Sequence, residues 1–213
     1  MAPGSLTVRD VEIARWVARM GPVTVFQVAR RFAMNRIAAY RRVRVLRAYG
    51  YLQREFAAHR RPGVLVATAL AEDLDERAAA ARALAPHQVA MHLAAVNVAV
   101  EHELAGTPVL VAGELSAHPG LQERLPTAAT GSLRPDLLVL TEPLLCVFAP
   151  SGAARGPVYD ALIAASWPPA TTGLLLVDEQ REIDDLAAAS GSLEVRRVDL
   201  TMAGHPPEFP AGS

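Results

Sequence analysis

The chain has 213 residues, 51% of them hydrophobic and 20% charged, the make-up of a globular protein and not of a disordered one. Its single cysteine, Cys146, excludes an internal disulfide and any zinc site built from four cysteines or from two cysteines and two histidines. The net charge of −1 conceals an asymmetry: residues 1–62 carry thirteen arginines against Asp10, Glu12 and Glu55, a formal +10, whereas residues 63–213 carry eight arginines against nineteen acids, a formal −11.

In chain order, "VRDVEIARWVARMG" from Val8 places Val11, Ile13, Ala14, Val17 and Ala18 near a 3.6-residue period and predicts a helix that Gly21 ends. "PVTVFQVARRFA" predicts a second helix of about two turns, with Thr24 as N-cap and Val25, Val28 and Phe32 on one face. "MNRIAAYRRVRVLRAYG" predicts a third, capped by Asn35, closed by Gly50 and facing the core with Ala39, Val43 and Leu46. The period then changes. "YLQREF" and "VLVAT" read as strands around the polar turn "AAHRRPG", and Thr68 is expected to cap a helix through "ALAEDLDERAAAARAL". Three helices followed by a hairpin is the winged helix-turn-helix arrangement, assigned to residues 1–85.

A long amphipathic helix is expected over 86–105, stopped by Gly106. Beyond it, "PVLVAGEL", "PDLLVL", "LLCVFA", "TGLLLV" and "LEVRRVDL" are apolar runs of strand length, interleaved with helical "GPVYDALIAAS" and "DEQREIDDLAAAS". The order α-β-β-β-α-β-α-β predicts an α/β sheet layer over 86–200. The tail 201–213 is rich in Pro and Gly and is expected to be disordered. The overall class is α/β, or α+β when both parts are taken together. The apolar runs fall far short of a membrane span of about 20 residues. The opening "MAPGSLTVRD" has no charged stretch followed by an apolar run, so a soluble, cytoplasmic protein with no signal peptide is expected.

Codon bias in a GC-rich genome accounts for the absence of lysine, but not for the crowding of thirteen of twenty-one arginines into the first 62 residues. A basic first third suits a polyanion, and the acidic remainder does not. In a helix-turn-helix the recognition helix enters the major groove. With Ala39, Val43 and Leu46 inward, Asn35, Arg36, Tyr40, Arg41 and Arg44 stand at the start and on the outer arc of the third helix. Arginine there takes guanine edges in bidentate fashion or pairs with phosphates. Arg54, His59, Arg60 and Arg61 of the wing, and Arg30 and Arg31 of the second helix, add to that surface. The DNA-binding set is therefore Asn35, Arg36, Tyr40, Arg41, Arg44, Arg54, Arg60 and Arg61, with double-stranded DNA as partner. The competing reading is a solvated or protein-facing basic helix in an adaptor.

Glu114 after one strand and Asp136 at the head of the next are arranged as in the metal site of restriction-endonuclease-like folds. The chain resembles the replication-relaxation family of bacterial and plasmid proteins. The resembling blocks are "GYLQRE", "VLVATALAEDL", "PHQVAMHLAAVNVAVEHEL", "GEL" with Glu114 and "LRPDLLVL" with Asp136, across residues 8 to 190. The resemblance implies a winged helix joined to a restriction-endonuclease-like domain, and roles in plasmid or mobile-element replication, transfer or transcriptional control. Where the family carries an acidic strand, "LLCVFAPS" sets Val147 and Ala149, and no lysine exists to activate water. A pseudo-nuclease that mediates assembly, as a homo-oligomer or with a protein partner, is therefore expected, with no catalytic residue, cofactor or metal. On that reading Asp136 caps a turn and Glu114 is a surface residue or relic, while an Mg²⁺-dependent nuclease using both is the alternative. His87, His92 and His102 lack the i, i+4 spacing of a zinc helix. Cys146, Trp16 and Trp167 are expected to be packing residues.

Overall fold

The structure, a computed structural model, describes residues 5–55, 63–74, 84, 86–128, 131–178 and 192–198. Helices and sheets are mixed along the chain, as expected of the α/β class. Two compact units are described separately; the division falls at Val89/Ala90, inside a long helix.

The first unit begins with α1 (Val8–Met20). Thr7 and Asp10 form a reciprocal capping box at its start: Asp10 Oδ2 accepts from the Thr7 N–H at 2.8 Å and the Thr7 hydroxyl accepts from the Asp10 N–H at 3.3 Å. A two-residue strand, β1 (Val23–Thr24), leads into α2 (Val25–Arg31). Thr24 caps α2 as expected, in a second box in which Gln27 Oε1 accepts from the Thr24 N–H at 2.9 Å. Both partners are buried, so this polar pair is satisfied locally within the core.

Helix α3 spans Arg36–Ala48 with Asn35 as N-cap, its Oδ1 accepting from the Ala38 N–H at 2.8 Å. At the other end Gly50 adopts φ +79°. The Tyr51 N–H reaches the Leu46 carbonyl at 3.0 Å and the Gly50 N–H reaches that of Arg47 at 3.1 Å, which closes the helix by a left-handed turn that glycine adopts without a Cβ penalty. Ala39, Val43 and Leu46 are the buried positions of α3, as the periodicity predicts. Strands β2 (Leu52–Glu55) and β3 (Val64–Ala67) pair antiparallel and, with β1, form a three-stranded sheet in the order β1-β3-β2. The turn joining β2 to β3 lies outside the described residues. After β3 comes the short α4 (Ala69–Glu72). Thr68 does not cap it with its side chain: the hydroxyl donates back to the carbonyls of Gly50 and Tyr51 and ties α4 to the end of α3. The remainder of the helix expected there lies outside the described residues.

Helix α5 (Pro86–Leu104) is buried at ten positions between Val89 and Val100, and Gly106 ends it. The second unit then forms β4 (Val109–Val111), a 3-10 turn over Ala112–Ala117, a short α6 (Pro119–Gln122) and a small β5 (Thr127–Ala128) and β6 (Gly131–Ser132) pair. Strands β7 (Leu137–Val139) and β8 (Leu144–Phe148), helix α7 (Arg155–Ile163), β9 (Thr171–Val177) and β10 (Leu193–Arg197) follow. All but the first residue of the helix expected over 178–190, and the tail, lie outside the described residues.

The five-stranded sheet has the order β10-β9-β8-β7-β4. Strands β4, β7 and β8 form an antiparallel meander, and β8, β9 and β10 run parallel. Leu138, Cys146, Phe148, Leu175 and Val177 point to one core, with Tyr159 and Leu162 of α7. Leu137, Val139, Val147, Leu174 and Leu176 alternate to the opposite face and are also buried. Burial on both faces explains why these strands read as unbroken apolar runs. Burial pushes the Cys146 thiol from its ordinary 9.0 up to about 12, against a smaller lowering pull from Arg124. Phe148 meets Trp167 edge-on at 6.4 Å, and Trp16 meets Phe32 at 6.0 Å in the first unit, so both tryptophans act in packing. Among the described residues, no helix is long and apolar enough to cross a membrane.

Candidate nucleic-acid interface

The arginines of the first unit divide by what they touch. Arg9 donates to the Phe32 carbonyl and Arg15 to the Leu74 carbonyl, stapling α1 to its neighbours. Arg42, on α3, turns inward: its Nη1 lies 3.1 Å from Asp10 Oδ2, whose side chain is fully buried. One carboxylate thus serves the α1 capping box and anchors α3. This role of Arg42 is absent from the sequence reading because the pair spans 32 residues.

The other arginines of α3 face outward, and Arg36, Arg41, Arg44 and Arg47 are exposed. With Arg54 of β2 they line a groove of about 500 Å³ whose floor holds Val25, Val43 and Leu65 and whose wall includes Ile37 and Tyr40. Among the described residues, no carboxylate lines it. Arg36 lies over the Phe26 ring at 5.0 Å and the Tyr40 ring at 5.6 Å, cation–π contacts that hold its guanidinium against the protein. Arg54 is placed by backbone economy on the facing strand. A Cβ at Gly63 would fall 2.3 Å from Arg54 Nε, so the missing side chain there makes room for the arginine.

Five of the eight residues expected at the interface, Arg36, Tyr40, Arg41, Arg44 and Arg54, therefore come together on one groove. Asn35 is exposed but uses its side-chain oxygen to cap α3. Arg60 and Arg61, with His59, lie outside the described residues. Arg31 of α2 packs over Phe32 at 5.4 Å, and neither it nor Arg30 is among the groove residues. Arg47 and Ile37 also line the groove and were not singled out from sequence; for Ile37 the signal was present, since it falls on the arc opposite Ala39, Val43 and Leu46, whereas Arg47 lies one turn beyond Val43 on the flank of the buried face.

The two carboxylates of the second unit are held by backbone. Glu114 is 5% exposed, and its Oε2 accepts from the Val111 N–H at 2.9 Å. It is thus neither a surface residue nor an idle relic, because it caps the 3-10 turn that cuts β4 short of the expected strand. Asp136 is exposed, and its Oδ2 accepts from the Ala149 N–H at 2.7 Å, tying the head of β7 to the end of β8. Val147 and Ala149 are buried apolar neighbours. Arg155 pairs with Asp178 past the end of β9. Among the described residues, no group of three or more His, Cys, Asp or Glu side chains is arranged to hold a metal ion.

Comparison with family models, with curated proteins and with solved structures gives no match. The function therefore rests on the groove and the charges around it.

Proposed function

We propose that the chain is a non-enzymatic DNA-binding protein whose first 85 residues act as a winged helix-turn-helix. On this reading α2 and α3 are the helix-turn-helix pair, α3 lies in the major groove, and the β2–β3 hairpin is the wing. The observation that carries it is the groove: Arg36, Arg41, Arg44, Arg47 and Arg54 line one concavity, with no carboxylate among its described residues. A surface of that kind neutralises phosphates, releases counterions and reads base edges with the same side chains. Residues 86–200 carry six arginines against fourteen acids, a formal −8, which opposes DNA and favours a protein-facing role for the α/β unit, as a degenerate nuclease-like domain that mediates assembly. Pairing of two copies would double the DNA footprint and raise affinity by linkage. With the resemblance to the replication-relaxation family, this assigns a cytoplasmic role in plasmid or mobile-element replication, transfer or transcriptional control.

The test is duplex-DNA binding followed by fluorescence anisotropy at low and at physiological salt. The expected outcome is tight binding that falls steeply with salt. Absence of binding at low salt would sink the reading and leave the basic helix as a protein-facing adaptor.

A further inference from the structure

One member of the groove does not fit a surface that meets only phosphate. Ile37, in the first turn of α3, is 66% exposed, and it lines the concavity between guanidinium groups. At about 100° per residue, Ile37 and Arg44 lie about 20° apart near the centre of the outward arc, with Arg41 about 40° to one side. Arg36 is turned back onto Phe26 and Tyr40. The part of α3 that stands furthest from the core thus presents an apolar side chain bracketed by Arg41 and Arg44.

An occupant must satisfy both features. It must carry negative charge for the arginines and an apolar group for the isoleucine. On the major-groove edge of duplex DNA, the thymine 5-methyl is the apolar group that distinguishes one base from another. The N-terminal part of a recognition helix is the part that meets base edges. We propose that Ile37 is a specificity-determining residue that reads the 5-methyl group of a thymine in the major groove, while Arg41 and Arg44 engage guanine edges or phosphates beside it. This rests on the groove being a duplex-DNA site. It adds a base preference which arginines alone would not confer.

The experiment uses the full chain. Duplexes are selected from a pool with a random core, and each selected sequence is remade with deoxyuridine replacing thymidine at one position at a time. Deoxyuridine keeps the base pairing and removes the methyl group. Wild type is expected to lose about fourfold in affinity at one or two positions, the size of one buried methyl. Ile37→Ala should bind the thymidine duplex more weakly and lose nothing further at those positions. Because residue 37 is exposed and alanine favours a helix, this variant keeps the fold, which circular dichroism checks. Equal binding of thymidine and deoxyuridine duplexes by wild type would overturn the inference while leaving the groove as a DNA site. So would an Ile37→Ala protein that retains the wild-type ratio. If no duplex from the starting pool binds at low salt, the DNA reading itself falls, and the base preference falls with it.

Discussion

Arg41 and Arg42 are adjacent, carry the same charge and differ in what they face. Arg41 lines the groove, whereas Arg42 reaches the buried Asp10 carboxylate. Their alanine variants should therefore separate. Arg41→Ala and Arg44→Ala are each expected to weaken DNA binding by about 1–3 kcal/mol if they read bases, with lost sequence discrimination. If they touch only phosphate, binding weakens evenly and the salt slope flattens by about one. Arg42→Ala should instead lower unfolding stability by about 2 kcal/mol, because it leaves the Asp10 carboxylate with fewer donors in a buried setting, and its DNA affinity should stay close to wild type. Urea unfolding and anisotropy on the same three proteins check this. Cys146 gives a second residue-scale prediction. Its thiol, raised by burial to about 12, should resist alkylation in the folded protein at pH 8 and react fully in denaturant. The folded pKa lies above the unfolded value, so this contribution to stability is complete below pH 9 and is lost as pH rises towards 12.

At the scale of the element, α3 is bounded by two local devices that were legible in "NRIAAYRRVRVLRAYG". The Asn35 cap contributes about 1 kcal/mol. Gly50 sits at φ +79° with Leu70 Cδ1 at an ordinary 3.5 Å from where a Cβ would stand, so the cost of a side chain there is conformational and not steric. Gly50→Ala is expected to destabilise by about 1 kcal/mol and Asn35→Ala by a similar amount, read from urea midpoints. Both should loosen the groove only through the helix ends. Strand β1 was not legible, because two residues have no period to detect; its pairing of Val23 with Leu65 is a long-range event. The shortening of β4 was equally hidden. "PVLVAGEL" alternates like a strand, and the turn forms because a buried Glu114 carboxylate takes the Val111 N–H. Glu114→Ala should accordingly reduce stability by about 1–3 kcal/mol through an unpaired backbone donor.

For the molecule as a whole, the division of charge between the first 62 residues and the rest is the main functional statement. On the proposed reading it gives a phosphate-seeking surface to one part of the chain and a repulsive one to the other. The nuclease alternative has its own test at this scale. Glu114 and Asp136 already accept backbone N–H groups, and Val147 and Ala149 offer no ligand. Purified protein with Mg²⁺ is expected to leave supercoiled plasmid intact over hours; nicking that Asp136→Ala abolishes would revive the enzymatic reading.

Read alone, the residues determined the helix starts at Thr24 and Asn35, the stops at Gly50 and Gly106, the inward face of α3 and the mixed class of the chain. These follow from sterics and hydrogen bonds within a few residues, which is information a sequence carries locally. Only the tertiary structure decided which arginines remain outward, that Arg42 pairs with Asp10, that Gly63 makes room for Arg54 and that Ile37 shares the groove with Arg41 and Arg44. Each of those depends on elements brought together across tens of residues. Such encounters are selected by burying apolar surface and satisfying polar groups over the whole unit, not by any short-range pattern.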